Sequence, residues 1–192
     1  DALAQRDDAP RVLYVQGDLE ALAARRVGIV GTRNATAAGR ATAADLAHEL
    51  AADGVAVVSG LARGIDAAAH RGVRSAGGPG RAVAVVGNGL DRVYPRQNAE
   101  LWRWVSGDGL LLSEWPPGIA PVAWRFPQRN RVIAALSEVL VVVESRETGG
   151  SLITARLAID DGATVMAVPG SPRSRASLGT NQLLVEGAAP VT

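Results

Sequence analysis

The sequence predicts a doubly wound α/β domain: a mostly parallel sheet with helices on both faces. Three observations carry this expectation. Short β-branched or apolar runs begin at Val27, Val55, Ala82, Leu110, Val139 and Thr164, at successive intervals of 28, 27, 28, 29 and 25 residues. Alanine-rich stretches of helical character, such as 37–53 and 151–161, lie between them. The runs are continuously apolar rather than alternating, which marks strands buried on both faces.

The elements follow in order. Residues 1–26 contain Pro10 and the extended VLYVQGD before a short helix, a lead-in expected to pack on the sheet edge. The first central strand ends at Gly31-Thr32-Arg33-Asn34, and the helix over 37–53 stops at Asp53-Gly54, glycine being the usual helix stop. The second strand runs into Ser59-Gly60-Leu61-Ala62-Arg63-Gly64 and then a helix carrying Asp66 and His70. The third strand ends at Gly87-Asn88-Gly89, and the fourth opens a loop from Ser113 to Gly118. The segment WRFPQRNR over 124–131 precedes an apolar helix over 132–136. The fifth strand leads to Thr148-Gly149-Gly150-Ser151 and the helix over 151–161. The sixth ends at Pro169-Gly170-Ser171, a loop followed by a short helix through 181–186. Residues 27–192 are thus expected to form one module, cut from a longer protein and lacking its flanking domains.

Composition narrows the function classes. Of 192 residues, 47% are hydrophobic and 20% charged, an ordinary globular balance. The longest apolar run, over 132–143, is interrupted by Glu138 and falls short of the ~20 residues of a membrane helix. No basic-then-apolar leader opens the chain, and the expectation is a soluble, cytoplasmic protein that does not engage membranes. Without cysteine there is no disulfide, thiolate metal site or cysteine nucleophile, and two histidines, His48 and His70, do not make a histidine-rich metal site. All twenty basic residues are arginine. A GC-rich coding bias accounts for that total, so function is sought in local clusters. Residues 115–137 hold no acid but include Arg125, Arg129 and Arg131, and residues 162–185 hold none but include Arg173 and Arg175.

Ligands of an open parallel sheet bind outside the carboxyl ends of its strands, where this chain concentrates its glycine. Several glycine loops converging on one edge point to a phosphate-bearing ligand, although any α/β domain needs turns there. The nucleotide fingerprint GxGxxG is absent, no acid ends the second strand, and a chain without lysine has no Walker A loop. Asp66 and His70 share a helix face at i and i+4, but no nucleophile stands beside them. Asp66 is expected to serve its helix start and His70 to pack locally. Glu114, Glu144 and Glu147 lie at strand ends without a visible partnership. No catalytic residue, metal ligand or cofactor is assigned. The segment over 124–131 combines aromatics for stacking on bases with arginines for phosphates, as single-strand-binding surfaces do. It equally suits a core aromatic anchoring a loop, its arginines in solvent.

Seven segments, in order, resemble the DNA-processing protein A (DprA, or Smf) family. They are GIVGTR from Gly28, SGLARGIDAAAH from Ser59, VVGNGLDRVYP from Val85, LSE from Leu112, FPQRNR from Phe126, GSLITA from Gly150 and AVPG from Ala167. The resemblance covers about residues 12–190. It implies an extended Rossmann-like domain that binds single-stranded DNA irrespective of sequence, forms homodimers and helps load RecA on incoming DNA in natural transformation. Carried onto this chain, Arg33 would grip phosphate beside the Gly31 and Thr32 amides, and Phe126 would stack on a base. Arg129, Asn130 and Arg131 match the family's RNR positions, where some arginines pair instead with acids inside the fold. Gly150, Ser151 and Thr154 would contribute amide and hydroxyl contacts, as would Ser59, Gly60 and Arg63 from the preceding glycine loop. The family's lysine near the aromatic segment is missing, with Arg125 as its stand-in. The competing expectation is a nucleotide-handling Rossmann enzyme of the phosphoribohydrolase type. Ala155-Arg156-Leu157 follow Thr154, however, where that class places a catalytic glutamate. A third is a dimerising protein-interaction platform.

Overall fold

The structure, a computed structural model, describes residues 2–192. All six apolar runs become strands, joined by two more at the sheet edges. The strands are β1 (Tyr14–Gly17), β2 (Arg26–Val30), β3 (Ala56–Ser59), β4 (Ala82–Val86), β5 (Leu110–Ser113), β6 (Val139–Val142), β7 (Thr164–Ala167) and β8 (Ala189–Pro190). The helices are α1 (Ala2–Gln5), α2 (Ala37–Ala52), α3 (Ile65–Ala76), α4 (Ala99–Asp108), α5 (Arg125–Leu136), α6 (Gly150–Asp160) and α7 (Leu178–Val185). One sheet runs in the order β1-β5-β4-β3-β2-β6-β7-β8. Every neighbouring pair is parallel except β1 with β5, whose register sets Tyr14 against Ser113. Of the residues before β2, Tyr14–Gly17 form an edge strand of the sheet.

Because the strand period is two, alternate residues feed two cores. Val58, Val83 and Leu140 join Val132, Ile133, Ala155 and Leu183 of α5, α6 and α7 on one face. Val57, Ile29 and Leu111 join Ala43, Ala47, Val73 and Trp102 of α2, α3 and α4 on the other. Alanine on α2 lets α3 approach closely, and a Cβ on Gly72 would run into the carbonyl oxygen of Ala44. Among the described residues no helix is long and apolar enough to cross a membrane.

One boundary differs in a way that matters to the site. α5 starts at Arg125, not Val132, so WRFPQRNR is largely helix rather than loop. Pro127 sits in the first turn, where a missing N–H costs no helical hydrogen bond.

Candidate functional site

Strand order reverses between β2 and β6: β3, β4 and β5 follow β2 outward on one side, β7 and β8 follow β6 on the other. Such a reversal opens a crevice beyond the strands' carboxyl ends. Here it is a cleft of about 320 Å³ walled by Gly31, Thr32 and Arg33 after β2, Arg146 and 148–150 after β6, Phe126, Arg129 and Asn130 of α5, and Ser151 and Thr154 of α6. A recess of about 30 Å³ adjoins it, sharing Phe126 and Arg33 and adding Gly60, Arg63, Gly87 and Tyr94.

The loop after β2 is fixed from below. Thr32 donates its N–H to the Glu144 carbonyl at 2.8 Å. The buried Glu144 carboxylate accepts from Thr36 N–H at 2.9 Å and Thr36 Oγ1 at 2.5 Å, and Thr36 Oγ1 caps α2 by accepting from Gly39 N–H. The Thr32 amide is thus occupied, contrary to the expectation of an anion contact there. Arg33 is left free: it is exposed, and its guanidinium, without hydrogen bond or ion pair among the described residues, lies 4.8 Å above the centre of the Phe126 ring. Tyr94 stacks on the same ring, centroids 5.4 Å apart and planes 22° apart.

The loop after β3 is an internal scaffold. Ser59 is fully buried and donates to the Ile29 carbonyl at 2.6 Å, tying β3 to β2 instead of facing the cleft. Gly60 and Ala62 donate their N–H groups to Asp66 at 3.2 and 3.4 Å, with Leu61 between them in the left-handed region at φ 52°. Arg129 is buried and donates to the Gly60 and Val85 carbonyls. A Cβ on Gly60 would come within 2.5 Å of that guanidinium, so a side chain there would have to displace Arg129 from its carbonyls. Burial lowers the Arg129 pKa to about 10, against the pull of Asp66, and the side chain stays charged at neutral pH. Burial in turn raises the Asp66 pKa, opposed by Arg129 and the Ala62 and Gly60 amides. One helical turn on, burial and then the Arg129 charge push the pKa of His70 down to about 3, leaving a neutral, fully buried ring. Neither ring nitrogen of His70 has a hydrogen-bond partner among the described residues, so Asp66 does not orient it.

Helical geometry divides the arginines of α5. Phe126, Asn130 and Ile133 share the face toward the cleft. Arg131 points the other way, is buried, and pairs with Glu114 and, at 3.5 Å, with Asp8. Its expected place at a DNA contact is corrected: it braces the fold. Arg129, though at the cleft, donates to backbone carbonyls through one terminal nitrogen and to Asn130 Oδ1 through Nε at 3.3 Å. Arg125 lies between Trp115 and Trp124 and lines neither cavity. At the start of α6, Ser151 Oγ donates to Ser145 Oγ at 2.9 Å, Thr154 is buried in the cleft floor, and Gly150 accepts from Asn130 Nδ2 at 3.4 Å.

The structure therefore brings Gly31, Thr32, Arg33, Phe126, Arg129, Asn130, Gly150, Ser151 and Thr154 to one cleft, with Gly60 and Arg63 in the adjoining recess. It adds two residues to which the sequence assigned no role. Arg146 is exposed in the cleft wall with no side-chain partner among the described residues, and its only sequence signal is its position just past a strand. Tyr94 sits far from Phe126 in the chain, and nothing in sequence foretells their stacking. Of the strand-end acids, Glu114 meets Arg131, Glu144 meets Thr36 and Glu147 is exposed, so no two share a site. No cluster of three or more His, Cys, Asp or Glu suited to a metal occurs among the described residues.

Comparison with known proteins finds relatives in both sequence and structure. All of residues 1–192 match the protein-family model for DNA recombination-mediator protein A. The chain is 42% identical over 185 residues to the DNA processing protein DprA of Bacillus subtilis, covering 96% of this chain and 62% of that protein. It superposes on the crystal structure of DNA processing protein A from Streptococcus pneumoniae with a TM-score of 0.94 at 39% identity, over 100% of this chain and 66% of that one. DNA processing protein A from Helicobacter pylori, described for its single-stranded DNA binding mode, gives a TM-score of 0.91 at 31% identity over 99% and 86%. The chain spans roughly half to two-thirds of the length of its curated relatives, between 46% and 64%.

Proposed function

The chain belongs to the DNA recombination-mediator protein A family, and on that premise we propose that it binds single-stranded DNA, indifferent to base sequence, in the cleft beyond β2 and β6. One observation carries this reading: the chain's single phenylalanine stands at the cleft between a tyrosine ring and an unpaired arginine. A guanidinium stacked on a ring occupies the place a nucleobase would take. When a base displaces it, the long, exposed Arg33 side chain swings to a phosphate, exchanging a cation–π contact for a charge-assisted one. Arg63 and Arg146, exposed on either side, offer further phosphate contacts. Few base-edge readers line the cleft among the described residues, hence the indifference to sequence. The Helicobacter pylori relative, described as binding single-stranded DNA, supports the same ligand.

The reading is of binding rather than turnover. Among the described residues the one carboxylate lining the cleft is Asp66, whose Oδ2 accepts from the Gly60 and Ala62 amides, while Glu144 is held by Thr36 and Glu114 by Arg131, an arrangement that disfavours the phosphoribohydrolase alternative. As a homodimer in the cytoplasm, the protein would hold incoming strands for RecA to load upon, a reading supported by the family's description as a DNA recombination mediator.

Fluorescence anisotropy with labelled single-stranded and duplex oligonucleotides of equal length tests the reading. Single strands should bind tighter, because stacked bases cannot reach Phe126. Arg33→Ala and Phe126→Ala should each weaken binding roughly tenfold or more, a base stack being worth about 1–3 kcal/mol. Oligomeric state and unfolding midpoint should stay unchanged. Equal affinity for duplex, or both variants binding as wild type does, would show the groove to be wrong.

A further inference from the structure

α5 opens on a second aromatic cluster that the cleft does not use. Trp124, just before the helix, is 60% exposed, the one exposed tryptophan among the described residues. Its ring meets Trp115 edge to face, centroids 6.5 Å apart. The Arg125 guanidinium lies between the two, 5.0 Å from the centre of Trp124 and 5.7 Å from that of Trp115. A 2.6 Å hydrogen bond to the Ala120 carbonyl pins it there, and no carboxylate pairs with it among the described residues. The arrangement is a flat apolar ring turned to solvent beside a fixed, uncompensated positive charge.

We infer that Trp124 and Arg125 form a second stacking site for single-stranded nucleic acid, taking a base and its phosphate beyond those held at Phe126. The inference rests on the function proposed above. Three features favour a nucleic-acid occupant over an apolar protein surface. Trp124 presents a stacking face, which suits any base. An apolar partner would bury the Arg125 charge without compensation, which is costly, whereas a phosphate neutralises it. Residues 115–137 contain no acid, so the surrounding segment does not repel a polyanion. Trp124 and Phe126 are two residues apart in the chain, so the two sites flank the start of α5.

The test uses oligothymidylates of about four and about sixteen nucleotides, the span of usual site sizes for single-strand-binding folds. Trp124→Ala should weaken the long oligomer roughly tenfold and leave the short one, which fills only the Phe126 cleft, within about twofold. Trp124→Phe should restore most of the loss. Indole fluorescence should be quenched by the long oligomer more than by the short, and that difference should vanish in Trp124→Phe. If Trp124→Ala binds both lengths as wild type does while Phe126→Ala binds neither, the second site is overturned and the first stands. Equal weakening on both lengths would also overturn it, making Trp124 a support for Phe126. A wild-type chain that binds neither length overturns both readings.

Discussion

Two arginines ninety-six positions apart illustrate how burial, not residue type, assigns roles here. Arg33 keeps its charge in solvent over an aromatic ring; Arg129 is buried and donates to the Gly60 and Val85 carbonyls and to Asn130 Oδ1. His70 shows the same principle through pH. Its pKa falls from the ordinary 6.5 to about 3 because the buried ring resists charge, so protons bind the unfolded chain before the native one. A depressed pKa contributes stability above pH 6.5 that is lost as pH falls toward about 3. Asp66, with a raised pKa, opposes that trend, since the native state takes up its proton first. Comparison of variants separates the two. On acidification through this window, His70→Leu should gain stability relative to wild type by roughly 1.4 kcal/mol per pH unit. Urea midpoints at pH 7 and pH 5 measure it, and parallel pH dependences in both proteins would rule out His70 as the titrating group.

At the scale of elements, α5 is where sequence pattern and outcome diverge most. An aromatic, proline and three arginines read as a loop, yet the proline falls in the first turn and the helix absorbs them all. Once the helix begins at Arg125, its 3.6-residue period sends Phe126 and Asn130 to the cleft and Arg131 to Glu114. The opposite layer depends on close backbone approach. Gly72 of α3 faces the Ala44 carbonyl of α2, and a backbone atom at that place cannot yield to a Cβ. Gly72→Ala should therefore destabilise by about 1–3 kcal/mol through overpacking, although alanine favours an isolated helix by about 1 kcal/mol over glycine. A thermal melt decides the sign, and a raised midpoint would mean that α2 and α3 separate freely.

For the whole molecule, the net charge of +1 is no guide to its electrostatics. Asp66 at the cleft accepts from backbone amides and Glu144 below it from Thr36, while Arg33, Arg63 and Arg146 have no ion pair among the described residues along one edge of the sheet. Three phosphates neutralised at about −0.7 each predict a slope near −2 for log affinity against log salt with a short single strand. Removing Arg146 by Arg146→Ala should flatten that slope by about 0.7. A slope near zero would mean that binding does not proceed through these phosphate contacts.

Periodicity alone led to all six central strands, their parallel arrangement and the edge where the glycine loops gather. These depend on local hydrophobic pattern and on the handedness rules of parallel sheets, which operate whatever the partner side chains are. The motifs likewise led to Arg33, Phe126 and the α6 start before any contact was visible. What sequence left open was the orientation and company of each side chain. Arg129 and Arg131 differ from Arg33 only in what surrounds them, Tyr94 reaches Phe126 across thirty-two positions, and Arg146 follows its strand with no motif to mark it. Whether a charge is free or spent depends on groups brought together by the sheet and by the turn of a helix. Those distances through space exist only once the tertiary fold has formed.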